Sequence, residues 1–96
     1  MAFGINFSEE KNQLLKATRG ISFDEIIEAI SEGNLLADVI HPSKSRANQR
    51  LYVVKIKVYA YAVPYVINTQ KNEIFLKTAY PNSALTKKYI KGDNHE

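Results

Sequence analysis

The residues in this chain that can do chemistry are one well-placed histidine and a surplus of cations. His41 stands before Pro42. Its imidazole ionises near neutrality, so it can serve as general base or general acid. Lys55, Lys57 and Lys77 interrupt runs of Val, Ile, Leu and Tyr. Such runs favour strands, where an inward cation is unusual, so at least one of these lysines is expected to face a phosphate or carboxylate. Arg46 and Arg50 flank a polar segment and carry planar forks that grip phosphate. Lys87, Lys88 and Lys91 surround Tyr89, an aromatic ring among cations of the kind that stacks on bases. Cutting RNA internally without a metal needs a base for the 2′-hydroxyl, a cation for the phosphorane charge and an acid for the leaving oxygen. His41, Lys55, Lys77 and Tyr89 are the candidate catalytic residues. Arg46, Arg50, Lys57, Lys87, Lys88 and Lys91 are the candidate RNA contacts. Plainer readings stand beside these: a strand-end histidine bonded to its own loop, lysines that keep an edge strand soluble, and cations that suit a helix C-terminus. Most of the six tyrosines also suit a sheet.

Charge is divided by position. Met1 to Gly33 carries three basic and six acidic residues, a net of −3. Asn34 to Lys91 carries ten basic residues against Asp38 and Glu73, a net of +8. Cationic surfaces of this kind attract phosphate backbones and acidic partners.

Other chemistries are poorly supplied. The chain has no cysteine, so it has neither disulfides nor a zinc–thiolate site. His41 and His95 are too few and too far apart for a metal, and four scattered glycines build no phosphate loop. No metal and no cofactor are expected. The start of the chain has no leader pattern and no apolar run is long enough to span a bilayer, so a cytoplasmic protein without membrane contact is expected.

The elements that must position these residues follow from patterning. Phe3, Ile5 and Phe7 alternate as in a short strand. Ser8 caps a helix with Leu14 and Leu15 on its apolar side, and Gly20 stops it. Ser22-Phe23-Asp24-Glu25 is a capping box that opens a second helix with Phe23, Ile26, Ile27 and Ile30 in one stripe, ended by Gly33. Asp24, Glu28 and Glu32 recur on its outer side as a solvated face. Leu35 to Ile40 reads as a strand, followed by a polar basic loop over 43–48. Arg50 to Ile67 is too long for one strand and is split near Lys57-Val58. Pro64 in its second half implies an edge position or a bulge. Thr69 to Asn72 is a hairpin turn, and Glu73 to Tyr80 a strand with Phe75, Lys77 and Ala79 on one face and Ile74, Leu76 and Thr78 on the other. A short basic helix from about Ser83 to Ile90 ends the domain. The order β-α-α-β-β-β-β-α implies a single α+β domain over 1–91 with a mostly antiparallel sheet, its first two helices on one face, and a flexible tail over 92–96.

Phe7-Ser8-Glu9-Glu10-Lys11-Asn12 followed by Arg19-Gly20-Ile21-Ser22-Phe23-Asp24-Glu25 resembles the opening of the BrnT-like toxins of bacterial toxin–antitoxin pairs. The likeness continues through Asp38, His41-Pro42, Gln49, Val53-Val54, the run Tyr59 to Tyr65, and Phe75 to Pro81. It ends at Thr86-Lys87-Lys88-Tyr89. The resemblance implies a RelE-like α+β fold and an endoribonuclease that blocks translation by cleaving messenger RNA, on or off the ribosome. It also implies a small antitoxin partner, acidic or of the ribbon-helix-helix type, whose complex with the toxin binds operator DNA. Such families place a basic pair after the last strand, where this chain has Ser83 and Ala84. That departure keeps open a second expectation, a non-catalytic basic module that binds nucleic acid or an acidic protein.

Overall fold

Two serines decide where the first helices begin. The computed structural model describes residues 4–40 and 50–91. After strand β1 (Gly4–Phe7), the Ser8 hydroxyl accepts the Lys11 N–H at 3.3 Å and starts α1 (Glu9–Arg19). Gly20 ends α1 in the left-handed region at φ 70°, where a side chain would be strained. Ser22 repeats the device for α2 (Phe23–Ser31), accepting the Glu25 N–H at 3.1 Å. A third cap comes from outside the helix. Asn12 of α1, 1% exposed, accepts the Phe23 N–H at 2.8 Å, so one helix supplies the partner for the other's first donor. Leu15 is buried whereas Leu14 is 60% exposed, so the apolar side expected to carry both carries Leu15 alone. The other buried position of α1 is Asn12, three residues before Leu15 on the same side, and Leu14 is turned to solvent.

The sheet runs β1-β5-β4-β3-β2 and adds β2 (Leu35–Ile40), β3 (Arg50–Ile56), β4 (Tyr59–Asn68) and β5 (Glu73–Leu76). A two-residue strand, β6 (Tyr80–Pro81), pairs with the first half of β4. Every pairing is antiparallel except that of β1 with β5. The expected split of Arg50–Ile67 falls at Lys57-Val58, a two-residue turn between the paired Ile56 and Tyr59. Lys57 has φ 59°, the positive value that hairpin turns of this length demand. Thr69 to Asn72 turns the chain as expected, between the paired Asn68 and Glu73.

Pro64 is buried in the central strand and not at an edge. Its carbonyl accepts the Lys77 N–H at 2.8 Å, so its ring nitrogen faces the same neighbouring segment. There the pairing lapses between Leu76 and Tyr80, because proline offers no donor to continue the ladder. The expected single strand from Glu73 to Tyr80 is thus two strands with a bulge between them. The bulge resets the alternation: Ala79 packs with Leu76 on the α1–α2 face, not with Phe75 and Lys77.

Both faces of the sheet are covered. Phe23, Ile26 and Leu15 pack on Tyr52, Val54, Val63, Tyr65 and Leu76. On the opposite face α3 (Ser83–Tyr89) sets Leu85 and Tyr89 against Leu51, Val53, Ala60 and Ala62. Asn82 caps α3 by accepting the Leu85 N–H at 2.9 Å. Buried Thr86 fastens the helix to the sheet: its hydroxyl accepts the Ala60 N–H at 2.9 Å and donates to the Asn82 carbonyl at 2.8 Å.

Two substitutions test these joints. Asn12→Ala leaves the buried Phe23 N–H without its partner and should lower unfolding free energy by about 1–3 kcal/mol in urea denaturation. Thr86→Val keeps shape and removes the hydroxyl, with an expected loss of similar size, about 1–3 kcal/mol. A Thr86→Val protein as stable as wild type would show that α3 is held by apolar packing alone.

Candidate functional site

Asp38 is the sole charge in an otherwise apolar strand, β2. Register fixes its neighbours. Asp38 lies opposite Tyr52, Ile40 opposite Arg50, and Arg50 opposite Tyr65. Directly paired residues share a face, so Asp38, Arg50, Tyr52 and Tyr65 meet at the end of the sheet where β2 stops and β3 starts. The Tyr65 hydroxyl donates to Asp38 Oδ1 at 2.6 Å, the short distance of a charge-assisted bond. Arg50 Nε donates to Tyr65 Oη at 3.1 Å and to the same Asp38 oxygen at 3.3 Å. The rings of Tyr52 and Tyr65 stack at 4.0 Å between centroids and 17° between planes.

Burial pushes the Tyr65 phenol well above its ordinary ionisation range, and donation to Asp38 adds to the effect. Tyr52 is raised too, chiefly by burial. The Tyr65 hydroxyl and then Asp38 hold the Arg50 guanidinium above its already high range. The cluster is therefore a fixed cation carried on a neutral phenol and a carboxylate. It can bind and orient an anion, whereas Tyr65 as a proton donor is strongly opposed.

The other candidate residues are dispersed. Lys55 pairs with Ala60 near the hairpin end of β3. Lys57 occupies the turn, and both residues line a shallow cleft of about 260 Å³ with Glu25 and Glu28 of α2 and Glu32 just after it. Lys77 leaves β5 beside Pro64, its Nζ 5.9 Å from the centre of the Phe75 ring. From Ala60 to Pro64 along β4, and across two strand spacings, the backbones of Lys55 and Lys77 stand roughly 16 Å apart. The structure does not bring these two together. Lys77 and Arg50 stand at a similar level along β4, because Pro64 lies opposite Leu51, next to Arg50, but Arg50 shares the face of Tyr65 and Lys77 that of Phe75. Tyr89 is half-buried against the α3 core, with Lys88 Nζ 5.4 Å from its ring centre, and Lys87 and Lys91 are exposed. Ser83 and Ala84 are exposed at the start of α3, after Asn82, whose N–H donates to the Ala60 carbonyl. His41 and Arg46 lie outside the described residues, as does the tail over 92–96.

Asp38, Tyr52 and Tyr65 were not among the candidates. The sequence signal that could have found them is a lone carboxylate in an apolar strand, but its partners are fixed only by register. Among the described residues Asp38–Arg50 is the one ion pair within 4.0 Å, so the lysines of β3, the β5–β6 segment and α3 have no such carboxylate partner. Among the same residues no group of three or more acidic or histidine side chains is gathered to hold a metal, and no helix is long and apolar enough to cross a membrane. Compared with protein-family models, curated proteins and solved structures, the chain matches none.

The raised tyrosines give an alkaline signature. Below the ordinary tyrosine value of 10.0 both folded and unfolded chains keep these protons. Above it the unfolded chain releases protons that the native chain holds, so stability should fall as pH rises past about 10. In a titration of tyrosinate absorbance, Tyr52 and Tyr65 should ionise only as the native circular dichroism is lost. Tyr65→Phe should remove one of the two late protons. Ionisation of all six tyrosines in a still-native protein would refute the arrangement.

Proposed function

We propose that this protein is the toxin of a bacterial toxin–antitoxin pair, an endoribonuclease that cuts messenger RNA in the cytoplasm and stops translation. The observation that carries the reading is charge without compensation. Lys77, Lys87, Lys88 and Lys91 have no carboxylate within 4.0 Å among the described residues. A surface of this kind attracts a polyanion. The small α+β domain, with two helices on one face of the sheet and a basic helix on the other, accords with the resemblance drawn from the sequence. In this reading His41 is the base or acid of the cleavage, Arg50 holds the phosphate, and Tyr89 with Lys77, Lys87, Lys88 and Lys91 guides the strand. Arg46 extends the same grip, and Lys55 and Lys57 add charge at the far end. The reaction needs no metal. The antitoxin lays an acidic segment over these cations, and charge complementarity makes its association fast and salt-sensitive. The complex of the two binds operator DNA.

A binding module without catalysis is favoured by one observation: Lys55 and Lys77 lie on opposite sides of β4, at Ala60 near its start and at Pro64 in its middle. With Ser83 and Ala84 in place of a basic pair, such a chain would hold RNA without cutting it.

Inducible expression in a bacterium, with growth recorded and new 5′ ends of cellular RNA mapped, separates the two. Growth arrest with fresh cuts inside coding regions is expected. Substituting His41, Lys77 or Tyr89 singly should slow cleavage by about 10²-fold or more while the domain stays folded. Normal growth with intact RNA would leave the binding module as the better account.

A further inference from the structure

We infer that Asp38 and Tyr65 are positioning residues that hold Arg50 as a clamp for an RNA phosphate at the end of the sheet. The inference rests on the RNA reading above and names the groups behind its phosphate contact. A guanidinium grips phosphate through paired N–H groups in one plane, so the value of the site lies in how firmly that plane is held. Here it is held from its inner edge. Nε spends its hydrogen on Tyr65 Oη at 3.1 Å and Asp38 Oδ1 at 3.3 Å. Toward the outer edge, the bond found among the described residues runs from Nη2 to the Asp38 carbonyl at 3.5 Å, long for a strong bond. The distal nitrogens therefore keep donors for a ligand, and the Arg50 side chain is 39% exposed.

The support beneath the arginine is rigid. Tyr65 is 2% exposed, and its ring is stacked on Tyr52 at 4.0 Å. Its hydroxyl takes the shortest bond to Asp38, at 2.6 Å against 3.3 Å for the arginine. The carboxylate is thus committed first to the tyrosine, and the cation is oriented without being closely neutralised. Lys77, beside Pro64, lies with Phe75 on the opposite face of the sheet and is not part of the clamp. The hairpin lysines stand apart as well, since Lys55 and Lys57 line a cleft shared with Glu25, Glu28 and Glu32.

The test turns on the sign of one effect. Asp38→Asn removes a negative charge from a basic protein, and attraction alone would make it bind RNA more tightly. Positioning requires the opposite. Binding of a short fluorescein-labelled 2′-O-methyl oligoribonucleotide, which lacks the hydroxyl needed for cleavage, is followed by anisotropy across a salt series. Asp38→Asn is expected to weaken binding about 3- to 10-fold, and Tyr65→Phe, which leaves charge and stack unchanged, to weaken it in the same direction. Arg50→Lys should lose about 10-fold, and Arg50→Ala should lower the salt slope by about one. In the Arg50→Lys background, Asp38→Asn should bring no further loss. Thermal melts confirm that each variant is folded, with Tyr65→Phe as the gentlest. Unchanged or tighter binding by Asp38→Asn and Tyr65→Phe, in a protein whose binding still falls on Lys87→Ala, overturns the clamp and leaves the RNA reading standing. Arg50-dependent binding of a glutamate-rich peptide with no oligonucleotide binding assigns the fork to carboxylates and also overturns the clamp. No oligonucleotide binding by the wild-type protein overturns both.

Discussion

The second edge of β4 is the constraint on which the rest of the molecule depends. One edge of this central strand is completed by β3. The other must be completed by a chain that passes Pro64, which has no hydrogen to give. The chain therefore pairs twice, through β5 before the proline and β6 after it, and bulges between. The bulge reverses the alternation, sends Ala79 into the core beneath α1 and α2, and turns Tyr80 toward the other face. Ala60, beyond the end of β6, would be left with an open donor and acceptor. Asn82 and Thr86 close them, and in doing so fix where α3 starts and which face it covers. A proline that alone would argue against a central strand thus shapes the route by which the basic helix reaches its position.

The same sheet sorts the charge. Helix α2 keeps Asp24, Glu28 and Glu32 exposed on one side of the molecule, whereas α3 carries Lys87 and Lys88 on the opposite face. Lys55 and Lys57 line a cleft with Glu25, Glu28 and Glu32, toward the acidic side. The Asp38–Arg50 pair adds little to stability, since both side chains are more than a third exposed and such pairs contribute about 0–1 kcal/mol. What the fold does need is an acceptor for the buried Tyr65 hydroxyl, and leaving one unmet costs about 1–3 kcal/mol. Asp38 meets that need. The arginine is then held by groups that the core already requires.

Local chemistry was legible in the sequence and long-range pairing was not. Ser8, Gly20, Ser22 and Gly33 marked the helix ends because caps act within four residues. The α+β class and the turn at Lys57-Val58 followed from periodicity, since runs of Val, Ile and Tyr that exceed one strand must fold back. Pro64 implied an edge position or a bulge, and local sequence could not say that the strand is central or which neighbour would yield to it. Asn12 entered the sequence reading only within the Phe7–Asn12 stretch of the family resemblance, and its role as a cap for α2 appears only when the helices are packed. Asp38 and Tyr65 stand 27 positions apart, and nothing local ties a carboxylate in one strand to a phenol in another. Of the four clustered residues only Arg50 was legible as a candidate by residue type. The geometry of the cluster was held in the register.

Register also decides which cations can share a phosphate. A cleaving centre needs its cation, base and acid within a few ångströms of the same reacting atoms. Strand geometry spreads the basic residues over a much longer distance. Lys55 belongs to the hairpin end, and so does the start of α3 with Ser83 and Ala84, because Asn82 and Lys55 both meet β4 at Ala60. Arg50 and Lys77 belong to the other end, beside Tyr65 and Pro64. β2 stops at Ile40, one residue before His41 in the chain, and β3 starts at Arg50, so the segment carrying His41 and Arg46 is joined to the sheet at that same end. Within that end the two described cations still part by face, Arg50 lying with Tyr52 and Tyr65 on the α1–α2 side and Lys77 with Phe75 on the other. Ser83 and Ala84 fall at the other end, beside Ala60, so what stands at those two positions bears on the hairpin end of the sheet and not on the Arg50 cluster.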